Sequence, residues 1–118
     1  MKQLLIDTLK GLGFAEGKSL FLQGTFNPAE AYPDEFVTFW TDFTADHTHF
    51  DDTVNSVEWN FTVIYYANDP SLVNTKNRTI SNALRKAGFI PQGLGQDIPS
   101  DDPAFTGWAM EFICIEKL

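Results

Sequence analysis

Ser56-Val57-Glu58-Trp59-Asn60-Phe61-Thr62-Val63-Ile64-Tyr65-Tyr66, followed at once by Ala67-Asn68-Asp69-Pro70, is the stretch on which the rest of the chain hangs. Val57, Trp59, Phe61, Val63 and Tyr65 alternate with Glu58, Asn60 and Thr62, and side chains two apart share one face of a strand. The pattern predicts a half-buried β-strand over 56–66. Its register is well specified, because a one-residue slip would put Trp59 and Phe61 in water and Glu58 in the core. As a buried core residue, Trp59 is expected to cost about 3–5 kcal/mol when truncated to alanine. Directly after the strand, Asp69 can cap a helix and Pro70 suits its first turn, where a missing N–H costs nothing.

Outward from this frame, residues 2–12 read as an amphipathic helix with Leu5, Leu9 and Leu12 on its stripe and Gly11 or Gly13 at its end. Residues 18–25 read as a short strand and 26–34, with Pro28 and Pro33, as a loop. Glu35 to Thr44 predicts a second strand, with Val37, Phe39 and Phe43 on one face and Phe36 and Trp40 on the other. Residues 45–55 are polar and acidic without periodicity and predict a long loop. A helix is expected from Pro70 to Ala87, built on Val73, Ile80, Ala83, Leu84 and Ala87. Asn77 interrupts that stripe, so a later start with Asn74 as cap is the alternative. Lys76 and Arg78 fall off the stripe and are expected in solvent; Arg85 and Lys86 complement the helix dipole before Gly88. The stretch 92–98 allows a further short strand, 99–103 a turn, and Gly107–Glu116 predicts a last strand. The order α-β-β-β-α-(β)-β, without repeated βαβ units, defines an α+β class: a mainly antiparallel sheet with two helices on one face, in a single domain over 1–118.

The chain has 118 residues, with eleven Phe, three Trp and three Tyr, enough to build a packed core without disulfides or metals. The single Cys114 excludes an intramolecular disulfide and a thiol metal cluster. The opening Met1-Lys2-Gln3-Leu4-Leu5-Ile6-Asp7 turns polar too soon for a signal peptide, and no apolar run approaches the roughly 20 residues of a membrane span. These features predict a soluble, cytoplasmic protein.

Net charge is −8, and its distribution is uneven. Between Lys18 and Lys76 there are nine acids (Glu30, Asp34, Glu35, Asp42, Asp46, Asp51, Asp52, Glu58 and Asp69) and no base. Such a surface repels phosphate backbones, which argues against a nucleic-acid grip. It serves either as a solubilising face or as a lining past which DNA slides without sticking.

Candidate chemistry is sparse. His47 and His49, among Asp46, Asp51 and Asp52, have metal-ligating types but lack further ligands at a recognised spacing, so a solvated acidic loop is the expectation. Gly93-Leu94-Gly95 opens no helix and has no P-loop lysine; a bend or bulge is the simpler reading. Cys114 sits in an apolar strand as a small hydrophobe. No catalytic residue, cofactor site or metal site is expected, and the chain does not read as an enzyme. One feature points outward: Phe36, Trp40, Ile64 and Tyr66 lie opposite the main core stripe. Either a second copy covers them, or the loops at 26–34 and 45–55 fold over them.

Several segments carry a resemblance. Phe39-Trp40, Trp59-Asn60-Phe61, Tyr65-Tyr66-Ala67-Asn68-Asp69-Pro70, Ala87-Gly88-Phe89-Ile90, Gly95-Gln96-Asp97 and Ser100-Asp101-Asp102-Pro103-Ala104-Phe105-Thr106-Gly107 look like a family of small tail proteins of phages and prophages of Gram-positive bacteria. The likeness runs from about Leu20 to Ile115, and its specificity lies in the order and spacing of short motifs. The family resembles the tail terminator (tail completion) proteins of long-tailed phages. That implies an α+β subunit forming a homo-oligomeric ring, commonly a hexamer, that caps the tail tube beside other tail or head–tail proteins. The ring surrounds the DNA channel, assembles in the host cytoplasm and ends in the virion tail. The resemblance carries over no catalytic or binding residue. The alternative class is a monomeric or dimeric α+β module that binds a small molecule or a host protein.

Overall fold

In the computed structural model, residues 2–15, 19–22, 33–50, 53–99 and 104–117 are described, those at 47–50 and 53–55 by backbone alone. The elements are α1 (Lys2–Gly11), β1 (Leu20–Leu22), β2 (Glu35–Phe50), β3 (Thr53–Ala67), α2 (Pro70–Lys86), β4 (Ile90–Pro91), β5 (Gln96–Ile98) and β6 (Thr106–Lys117). They form one six-stranded sheet ordered β1-β2-β3-β6-β4, with β5 also on β6. Only β1 and β2 run parallel; the other pairs are antiparallel. The fold is α+β, as the sequence predicts.

The alternation in β3 decides the core. Phe61, Val63, Tyr65 and Ala67 are buried in one cluster with Val37 and Phe39 of β2 and Met110, Phe112 and Cys114 of β6. Leu5 and Leu9 of α1 and Val73, Ile80 and Leu84 of α2 enter the same cluster, while Leu12, Ala83 and Ala87 of the predicted stripes are only half-buried. Asp69 is the N-cap of α2, accepting the Ser71 N–H at 3.0 Å, with Pro70 in the first turn; Asn74 lies inside the helix. At the other end Gly88 turns left-handed (φ 106°). Its N–H donates to Arg85 O at 3.1 Å, and Phe89 N–H to Leu84 O at 2.9 Å, with both Phe89 and Leu84 buried. This Schellman closure pairs the freed carbonyls and clips the next segment to the core. The same two bonds close α1, from Gly13 to Lys10 O and from Phe14 to Leu9 O.

Three expectations need correction. The predicted loop at 45–55 is instead strand over 45–50 and 53–55, leaving 51–52 outside the described residues. This ribbon lies beyond the buried segment of β3, so no face is forced to be apolar and the sequence shows no alternation there. Second, the ladder shifts register between Thr41 and Phe43, placing Phe43 opposite Asn60. The bulge turns Phe43 off the core face, and it is 56% exposed. Third, Trp59 is only half-buried: it stacks on Phe61 (centroids 5.9 Å apart) and its indole N–H donates to Glu116 Oε1 at 3.3 Å. Of the expected strand 18–25, β1 keeps Leu20–Leu22, and residues 18 and 23–25 lie outside the described residues.

Candidate assembly surfaces

The bulge in β2 organises the sheet face away from the core. Asp42 lies within it, and its carboxylate accepts from the Trp40 indole at 2.8 Å and from the Thr62 hydroxyl at 2.6 Å. Farther up the same face Phe36 lies opposite Tyr66 across the ladder and stacks on it, centroids 4.8 Å apart. Phe21 and Phe105 meet the Phe36 ring edge-on at 6.3 and 5.7 Å. Phe36, Trp40, Ile64 and Tyr66 therefore do share one face, but not as an open patch. Phe36 is 4% and Ile64 6% exposed within the single chain, and Trp40 and Tyr66 are half-buried. What this face does expose is Phe43.

Asp46 is exposed on β2, while Asp51 and Asp52 lie outside the described residues. His47 and His49 are in strand, with register shifts around Thr48 that break simple alternation. Among the described residues no group of three His, Cys, Asp or Glu gathers as a metal site. Cys114 is buried, and burial pushes its thiol pKa up. None of the described helices is long and apolar enough to cross a membrane.

β2 and β3 are 16 and 15 residues long, which at about 3.3 Å per residue accounts for the longest of the molecule's dimensions, 53 × 28 × 24 Å. β1 pairs with Val37–Phe39, so among the described residues the ladder on the outer edge of β2 ends at Phe39. On the far side, among the described residues, the β4 and β5 ladders on β6 end at Ile113. Unpaired strand edges are templates for pairing with another chain.

Two polar features escaped the sequence reading because each joins distant segments. Lys76, expected in solvent, reaches β2: its Nζ lies 2.5 and 2.7 Å from the Glu35 carboxylate oxygens. The Tyr65 hydroxyl donates to the same carboxylate at 2.6 Å, and Phe14 packs edge-on against Tyr65 with the Lys76 ammonium 5.9 Å above its ring. Burial alone would raise the pKa of Glu35. Hydrogen bonds from Lys76 and Tyr65, with the Lys76 charge, outweigh it and hold the carboxyl below its ordinary value. Burial and the Glu35 carboxylate push Tyr65 the other way, far above an ordinary phenol.

The second is a groove of about 450 Å³ between α2 and the segment leading to β6. Asn74, Asn77, Arg78, Asn82 and Arg85 line its helical wall, with Trp108 opposite. The Trp108 indole N–H donates to Leu94 O at 3.0 Å, which holds the Gly93–Gly95 bend against β6. Gly95 has φ 96°, and a Cβ there would sit 2.6 Å from Ala109 O. Gly95→Ala is therefore expected to cost about 1–3 kcal/mol through strain and loss of the β5 contact, read as a lowered denaturation midpoint.

Compared with known proteins, the chain matches no family model and no curated sequence.

Proposed function

We propose that this chain is a non-catalytic structural subunit of a phage tail, forming a ring as tail terminator (tail completion) proteins do. The reading rests on the resemblance given above. The observation that carries it is the long β2–β3 ribbon, an acidic arm that among the described residues runs past the end of the β1 ladder, on a body whose β6 runs past the β4 and β5 ladders. Strands that outrun their described neighbours on opposite sides of one sheet suit head-to-tail contacts, which close into rings when the rotation per subunit allows. Other tail or head–tail proteins would be its partners, and DNA would pass through the ring without specific recognition. Asp46, Asp51 and Asp52 are candidates for the lumen. Assembly would take place in the host cytoplasm, and the product would reside in the virion tail. The open groove beside α2 supports a second reading, a monomeric or dimeric module that binds a small molecule or a host protein.

Multi-angle light scattering over a wide concentration range, with and without purified tail tubes, separates the two. A ring-sized species, or binding at tube ends, is expected. A small species at every concentration that also ignores the tubes overturns the ring reading in favour of the binding module.

A further inference from the structure

We infer that the groove along α2 is one half of a head-to-tail contact, and that it receives the acidic β2–β3 arm of a second copy of this chain. The inference rests on the ring reading and deepens it by naming the two surfaces that meet. Four of the chain's eight bases (Lys76, Arg78, Arg85 and Lys86) fall in eleven residues of α2 that contain no acid, while nine acids fall between Lys18 and Lys76 with no base. Lys76 is committed to Glu35 of its own chain. Arg78 and Arg85 are not: both are exposed on the groove wall, and neither guanidinium is ion-paired or hydrogen-bonded among the described residues.

The two arginines lie seven residues apart, two helical turns, so their backbones are separated by about 10 Å along one face. Between and beside them stand the amides of Asn74, Asn77 and Asn82, which can donate to carboxylates as guanidinium forks do.

Charge geometry selects the occupant. Asp42 and Asp46 are exposed and Glu58 half-buried on the arm, whereas the unpaired bases lie on the helix that packs against the core face. A two-fold contact of either surface with itself sets like charge against like, whereas arm against groove pairs base with acid, and the ring reading makes that contact head-to-tail. With net charge −8, the chain would repel a polyphosphate before it reached two arginines.

The test uses the full chain with R78E/R85E, and R78Q/R85Q as a version that adds no negative charge to the last helical turn. Both positions are exposed, so circular dichroism should report the native fold. Assembly, in solution or at tube ends, is expected to weaken at least about tenfold in R78E/R85E and less in R78Q/R85Q. Wild-type assembly should also weaken as salt rises from about 0.1 to 1 M, where the screening length falls from roughly 10 to 3 Å. Because R78E/R85E keeps its arm, mixing it with wild type should restore a contact that it cannot make alone. Assembly unchanged in both variants overturns the groove assignment and leaves the ring reading standing. A wild-type chain that neither assembles nor binds tubes overturns both. If the variants lose only binding of inorganic phosphate while assembly persists, the groove is a small-anion site and the arm contact is wrong.

Discussion

Phe61→Ala is expected to lower stability by about 3–5 kcal/mol. Phe61 is fully buried, stacked on Trp59 on one side and meeting Phe89 edge-on at 6.0 Å on the other. Its ring joins β3 to the segment that the α2 closure clips down, so the cavity cannot collapse without moving both. Trp59→Ala should cost less, about 1–3 kcal/mol, because half of the indole already meets solvent and only its inner face loses contacts. Urea denaturation of the two variants checks the order. A greater loss for Trp59 than for Phe61 would mean that the core is centred closer to the ribbon than the burial pattern places it.

The second large effect centres on Glu35. Glu35→Ala should cost about 2–3 kcal/mol at neutral pH, chiefly because the fully buried Tyr65 side chain loses the acceptor for its hydroxyl. The pair with Lys76 contributes less than about 1 kcal/mol, since both side chains keep substantial solvent contact. The sign of the pH dependence follows from the depressed carboxyl pKa. The ionised form contributes stability that is fully present above the ordinary value of 4.5 and is lost as pH falls through the lower folded value. Wild type should therefore show an acid limb in its stability profile that is flattened in Glu35→Gln, which keeps an acceptor for Tyr65 but carries no charge. The two curves should converge below the carboxylate range. Parallel curves through that window would show that Glu35 does not titrate with folding.

The arm and the groove raise a structural question about this fold. A subunit with opposite charge on arm and helix risks open-ended association, since head-to-tail contacts that do not close make filaments. The bulge at Asp42 works against that outcome, because it twists β2 just past the end of the β1 ladder and breaks the flat ladder that uncontrolled pairing needs.

What was legible in the sequence is what is decided locally. The two-residue period of 56–66 determined the central strand and its core face, because the backbone sends successive side chains to opposite sides. Asp69-Pro70 and Gly88-Phe89 marked the ends of α2 through caps that involve only neighbouring residues. The tertiary structure alone decided the rest. The outer ribbon carries no alternation to read, and the bulge that exposes Phe43 is stabilised by Thr62, twenty residues along the chain from Asp42. The Glu35–Lys76 pair spans 41 residues, and the groove needs α2 beside Trp108, which only the packed sheet supplies. Periodicity and capping are short-range properties of the backbone, whereas bulges, ion pairs and grooves depend on which distant segments the core brings into contact.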